Sequence, residues 1–146
     1  MPSMQSRATA TWEGDLFTGS GTASLTSGVA SNLPVSWPSR TEAANGKTSP
    51  EELIAAAHAA CYSMAFANGL SGRGFPPAHL DTTAEATFEK MEPGWRLTTM
   101  ALSVTGNVPG ISAEEFQEAA AAAKDGCPVS NALKGNVEIT INAVLA

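Results

Sequence analysis

One segment constrains the fold more than any other: Ser49-Pro50-Glu51-Glu52-Leu53-Ile54-Ala55-Ala56-Ala57-His58-Ala59-Ala60-Cys61-Tyr62-Ser63-Met64-Ala65-Phe66. Ser49 suits an N-cap, Pro50 the first helical position, and Glu52 the place from which a capping-box carboxylate reaches back. These signals start a helix over residues 50–68, which Gly69 and Gly72 are expected to end. The helix is apolar on nearly every face, which predicts a central helix surrounded by protein. Its longest apolar run, 53–66, is broken by His58, Tyr62 and Ser63 and reads as core rather than membrane span.

The rest of the chain must supply what covers that helix. Residues 8–12 and 21–25 have strand character around a Glu13-Gly14-Asp15 turn. Residues 28–48 are rich in Gly, Asn, Pro and Ser and read as loop. Residues 82–88 and 95–106 alternate as strands, joined at Met91-Glu92-Pro93-Gly94 into a hairpin; Thr98, Met100, Leu102 and Val104 share one face. Ser112 caps a helix over 112–124, and a short helix over 128–133 follows Cys127-Pro128. A last strand over 136–144 turns Val137, Ile139, Ile141 and Ala143 to one side. With no regular alternation of strand and crossover helix, the order predicts an α+β fold of one domain over 1–146, its antiparallel sheet packed on the central helix.

Composition narrows the function. The formal charge is −6, from 8 basic and 14 acidic residues, and no Lys/Arg cluster occurs. Nucleic acid and anionic membrane surfaces, which need a basic face, are not expected partners. The N-terminal residues have no apolar run of a secretory signal, so a cytoplasmic protein is expected. In that compartment two cysteines point to catalysis, to redox sensing or to no chemical role, rather than to a structural staple.

The two cysteines differ in setting. Cys127 stands at a helix start, where backbone N–H groups favour a thiolate. Cys61 lies mid-helix in apolar surroundings, where desolvation alone leaves a thiol inert, so it needs a nearby cation. His58, one turn earlier, and Arg40, in the loop before the helix, are the candidates. Glu51 has no capping task, yet it stands ten residues from Cys61, roughly 15 Å along a straight helix. It therefore reaches a Cys61 only across a two-fold interface. A zinc site from His58, Cys61, Cys127 and His79 lacks the usual ligand spacing, and no metal or bound cofactor is expected. His79 reads as structural. Trp12, Trp37 and Trp95 read as core or interface.

The central-helix segment from Ser49 to Ala65 strongly resembles the corresponding motif of the OsmC/Ohr family of thiol peroxidases. Gly126-Cys127-Pro128-Val129-Ser130 resembles that family's second-cysteine motif, and Trp12-Glu13-Gly14, residues 80–84 and Val108-Pro109-Gly110-Ile111 also match. The resemblance implies an OsmC-like fold of two intertwined chains, with active sites at the subunit interface. It implies reduction of organic hydroperoxides, and of hydrogen peroxide, in defence against oxidative or osmotic stress, with an external thiol or dithiol as reductant. By motif, Cys61 resembles the peroxidatic cysteine and Cys127 the resolving one. Arg40 resembles the arginine that holds the thiolate, and Glu51 the carboxylate that positions it. An arginine just before the helix is similar to the OsmC branch rather than the Ohr branch. The helix-terminus argument alone favours Cys127 as the attacking thiol; the resemblance reverses that choice. An apolar pocket near Phe66, Phe75 or a tryptophan would favour alkyl hydroperoxides. The rival reading is a redox sensor or small-molecule-binding protein without turnover.

Overall fold

A computed structural model describes residues 2–146. The chain divides into a unit that ends at Pro50 and a unit from Glu51 to Ala146.

In the first unit β1 (Ala8–Glu13), β2 (Ser20–Leu25) and β3 (Leu33–Val35) form an antiparallel sheet in sequence order. The β1–β2 register runs from Ala8↔Leu25 to Glu13↔Ser20. Asp15 builds the turn: its carboxylate accepts from the Phe17 and Thr18 amides, both at 2.9 Å, and from the Thr18 hydroxyl at 2.7 Å. The expected loop over 28–48 is not featureless. It holds β3 and a short helix, α1 (Trp37–Thr41), which Ser36 and Ser39 start through a reciprocal capping box. Pro34 and Pro38, read as loop residues, occupy a short outer strand and the first turn of a helix, both of which tolerate proline.

In the second unit α2 (Pro50–Gly72, of which Pro50 closes the first unit) starts where its signals place it and continues past the expected end at residue 68. Gly69 costs a helix about 1 kcal/mol. Burial of Leu70, which follows Phe66 by one turn and is 0% exposed, returns about 1.5–3 kcal/mol. The end comes at Gly74, at φ 89°, where Phe75 N–H bonds to Leu70 O and Gly74 N–H to Ser71 O. That pair of bonds is a Schellman closure, which needs a left-handed residue. Within one chain the helix is covered along one side. Only Glu51, Ala55, His58, Tyr62, Phe66 and Leu70, one stripe at helical spacing, are buried. By length and composition alone α2 is apolar enough to cross a membrane, a property that core helices share, and this stripe packs into the core of its own unit.

Opposite α2 stand β4 (His79–Lys90), β5 (Trp95–Asn107) and β6 (Glu138–Leu145), with β5 in the centre. β4 and β5 form the expected hairpin. The strands do not all run antiparallel, however: β6 pairs with β5 in parallel, from Thr99↔Glu138 to Gly106↔Leu145. The physical reason is the pair α3 (Ala113–Gly126) and α4 (Pro128–Leu133), which returns the chain to its starting edge as a crossover. Met100, Leu102 and Val104 of β5, the stripe of α2, and Phe116, Ala119, Ala120 and Ala123 of α3 form one core. Tyr62, Phe66 and Phe116 follow one another through it, at centroid distances of 5.6 Å and 5.2 Å. Tyr62 Oη donates to Ala120 O at 2.9 Å, which satisfies a buried hydroxyl. Trp12 and Trp95, at 42% and 39% exposure, are not core residues.

β5 carries Gly106 under the ring of Phe116. A Cβ there would lie 2.9 Å from the ring and 3.1 Å from Leu80. Gly106→Ala is therefore expected to cost about 1–3 kcal/mol by overpacking, read as a lower urea midpoint with an unchanged slope. An unshifted midpoint would mean that Phe116 moves freely.

Candidate active site

Cys127 is held where the chain must change direction. Proline at 128 disfavours helical backbone in the residue before it, so α3 stops and Cys127 turns extended, at φ −67° and ψ 124°. It serves both helices: its N–H bonds to Ala123 O and its C=O accepts from Asn131 N–H, each at 3.0 Å. Its side chain is 0% exposed. Cys61 sits on the border of the buried stripe of α2 and is partly exposed. Both cysteines are free thiols, and each sulfur lies close enough to shift the ionisation of the other. Two residues 66 positions apart in sequence thus meet because α2 and α3 share a core.

The surroundings act oppositely on the two sulfurs. Burial pushes the Cys61 thiol up, the Val129 amide offsets part of this, and the Cys127 sulfur adds to the rise. Burial opposes ionisation of Cys127 too. There the Ser130 amide, the Cys61 thiol, the Ser130 hydroxyl and the Val129 amide outweigh it and hold the thiol below its ordinary range. The amides act as nearby dipoles; no cap hydrogen bond to the Cys127 side chain is formed. The more acidic sulfur is therefore Cys127, as the helix-terminus argument expects, while Cys61 is the one a solute can touch.

His58 is not the cation that Cys61 needs. It is 0% exposed, burial lowers its pKa, and Nε2 lies 2.8 Å from Ser130 Oγ. It is a neutral member of the core. Ser130, 4% exposed, escaped the sequence reading. The available signal was its place three residues after Cys127, where a helix-capping cysteine faces the first-turn residues.

Glu51 is 9% exposed, in the first turn of α2. Because α2 is continuous, about 15 Å of helix separates it from Cys61, and one chain does not bring the two together. Arg40 belongs to α1 of the first unit, with its guanidinium 5.5 Å from the centroid of the Trp37 ring. It borders a mostly apolar cavity of about 340 Å³, lined also by Trp12, Leu16, Val35, Trp37 and Pro50. Two of its walls are tryptophans. Phe66 is fully buried, and Phe75 packs against the core. The residues weighed as zinc ligands do not gather: no three His, Cys, Asp or Glu form a cluster among the described residues. His79 instead meets Asp81 on the surface of β4, at 3.0 Å.

Residues 43–142 match the family model described as OsmC-like protein. The chain is 45% identical over 128 residues to the peroxiredoxin OsmC of Escherichia coli K12, covering 88% of this chain and 89% of that one. It is 32% identical over 101 residues to an organic hydroperoxide resistance protein-like sequence of Staphylococcus aureus, covering 68% and 71% of the two chains. Among solved structures it resembles an organic hydroperoxide resistance protein of Elizabethkingia anophelis, with a TM-score of 0.76 and 26% identity over all of both chains. It also resembles the organic hydroperoxide resistance protein OhrB of Bacillus subtilis, with a TM-score of 0.70 and 25% identity over 94% of this chain and 97% of that one.

Proposed function

The chain belongs to the family of OsmC-like proteins, and from that premise we propose that it is a thiol-dependent peroxidase that reduces organic hydroperoxides in defence against oxidative stress. One observation carries the reading: a partly exposed thiol, Cys61, stands close to a fully buried one, Cys127, at a core that α2 and α3 share. A peroxide reaches only the first, and the second waits beside it.

The Cys61 thiolate attacks one peroxide oxygen. The O–O bond breaks, the other oxygen leaves as alkoxide and takes a proton to become the alcohol, and Cys61 becomes a sulfenic acid. Cys127 displaces the sulfenic hydroxyl as water and a Cys61–Cys127 disulfide forms. An external dithiol restores both thiols by exchange, so no bound cofactor takes part. Two free cysteines at rest suit the reducing cytoplasm.

Cys61 still needs a cation, because burial raises its pKa. Arg40 supplies it, stabilising the thiolate and the charge on the leaving oxygen, and Glu51 orients the guanidinium. The distance along α2 makes Glu51 serve the cysteine of a second copy of this chain, so the working form is a homodimer with its sites at the interface. The faces of α2 left uncovered within one chain, with Met64 at 68% exposure, support this. The organic hydroperoxide resistance proteins among its relatives and structural neighbours support an alkyl hydroperoxide as the substrate.

The test is peroxide loss after cumene hydroperoxide is added to reduced protein with excess dithiothreitol. Wild type is expected to turn over. Arg40→Met is expected to slow oxidation of Cys61 by about tenfold or more, because a single lost charge-assisted contact costs at least about 1.4 kcal/mol. No consumption by wild type would favour the sensor or binding reading. Full activity in Arg40→Met would remove Arg40 from the site.

A further inference from the structure

The pair His58–Ser130 has no part in that scheme, although Ser130 stands in the first turn of α4, three residues after Cys127, and all three side chains are buried. We propose that Ser130, held in orientation by the buried His58 imidazole, donates a hydrogen bond to Cys127 and activates it for disulfide closure. The inference rests on the reading that Cys61 is oxidised first and Cys127 resolves it.

A serine hydroxyl has one proton and two lone pairs. If His58 Nε2 accepted that proton, nothing would remain for the sulfur. If Nε2 carries a proton and donates, the Ser130 proton is free for Cys127, whose thiol the Ser130 hydroxyl helps to hold low. The other ring nitrogen decides between the two. His58 Nδ1 is buried with no partner among the described residues. A buried N–H without an acceptor is rarer than an acceptor without a donor. The lone pair therefore belongs on Nδ1 and the proton on Nε2. The result is a directed chain: imidazole N–H to Ser130 Oγ, Ser130 O–H to Cys127 Sγ.

Such a chain acts on the closure step. There Cys127 gives up its proton, its sulfur attacks Cys61 Sγ, and the S–O bond of the sulfenic acid breaks. The departing hydroxide takes up that proton and leaves as water, so the step balances without a further reactant. Charge develops on a sulfur that is 0% exposed, beyond the reach of bulk water. A fixed donor therefore does what solvent does for an exposed thiol. Donors arranged in series polarise one another, so each link strengthens the next. In these terms Ser130 touches a reacting atom, while His58 is a positioning residue.

The test separates the two chemical steps. Reduced protein is mixed with one equivalent of cumene hydroperoxide without dithiol. Samples quenched with dimedone are followed by mass spectrometry for sulfenic acid and disulfide, and Tm is measured in parallel. Ser130→Ala and His58→Leu are expected to slow closure, relative to Cys61 oxidation, by roughly tenfold or more, as for loss of a hydrogen bond to a charged group. Ser130→Thr keeps the hydroxyl and His58→Gln keeps an N–H at the same reach; both are expected to recover part of the loss. Wild-type closure in Ser130→Ala would overturn the proposal. So would slowing that follows Tm across all four variants regardless of which donors remain. If wild type forms no sulfenic acid, or forms it on Cys127, the underlying assignment fails instead.

Discussion

Cys61→Ser is expected to reduce peroxide consumption to the rate of the uncatalysed mixture. Serine keeps the shape of the side chain, so the core stripe of α2 is undisturbed, but a hydroxyl is hardly ionised at neutral pH and has little of the thiolate's nucleophilicity. Cys127 does not take over, although it is the more acidic thiol, because it is 0% exposed and a peroxide cannot reach it. Enzymatic accelerations run to about a million-fold or more, so loss of the attacking atom is the largest single effect available here. The measurement is peroxide loss with excess dithiothreitol, with Cys127→Ser alongside. In Cys127→Ser the sulfenic acid is expected to persist and to be trapped by dimedone on Cys61. If Cys61→Ser kept wild-type turnover, accessibility would not be what selects the attacking sulfur, and the scheme built on it would fall.

Phe66→Ala is expected to be the most damaging change to stability. Phe66 stands between Tyr62 and Phe116, with ring centroids 5.6 Å and 5.2 Å away, and has no exposed surface. Removing it forfeits its burial, two ring contacts, and the packing of everything that faced it. Such truncations cost about 3–5 kcal/mol, against a total stability of about 5–15 kcal/mol. The corresponding fall in Tm is roughly 10 °C or more for a chain of this size. The same ring holds α2 against α3, and these helices carry Cys61 and lead into Cys127. Loss of Phe66 is therefore expected to slow disulfide closure even below the melting transition. A urea series would check the first effect, and a loss under about 1 kcal/mol would mean that α2 and α3 close over the gap.

Much of the fold is local in origin and was legible as such. The start of α2 follows from Pro50 and the acidic residues after it, the hairpin from two alternating segments around Met91–Gly94, and the break between α3 and α4 from Pro128. In each case the cause is a backbone restriction or a side-chain period that acts within a few residues. The errors have a common physical source. Propensity at Gly69 predicts an end to α2 near residue 68, and burial of Leu70, which no local pattern records, carries the helix on to Gly72. The loop over 28–48 hid α1 because its capping box is made of two serines, residues equally at home in turns. The direction of β6 was missed because alternation tells which face of a strand is buried and nothing about which way it runs.

The site divides along the same line. Legible from the residues alone are the two cysteines, one inside an apolar helix and the other at a proline-enforced break, and the candidacy of Arg40 and Glu51 to serve them. These are properties of residues and their immediate neighbours. Packing brings the two sulfurs close together, leaves Cys61 as the reachable one, and makes His58 a neutral core residue joined to Ser130 across 72 positions. Contact, accessibility and proton affinity depend on what is packed around a group. That is set when α2, α3 and the sheet close over a common core, and no short-range pattern records it.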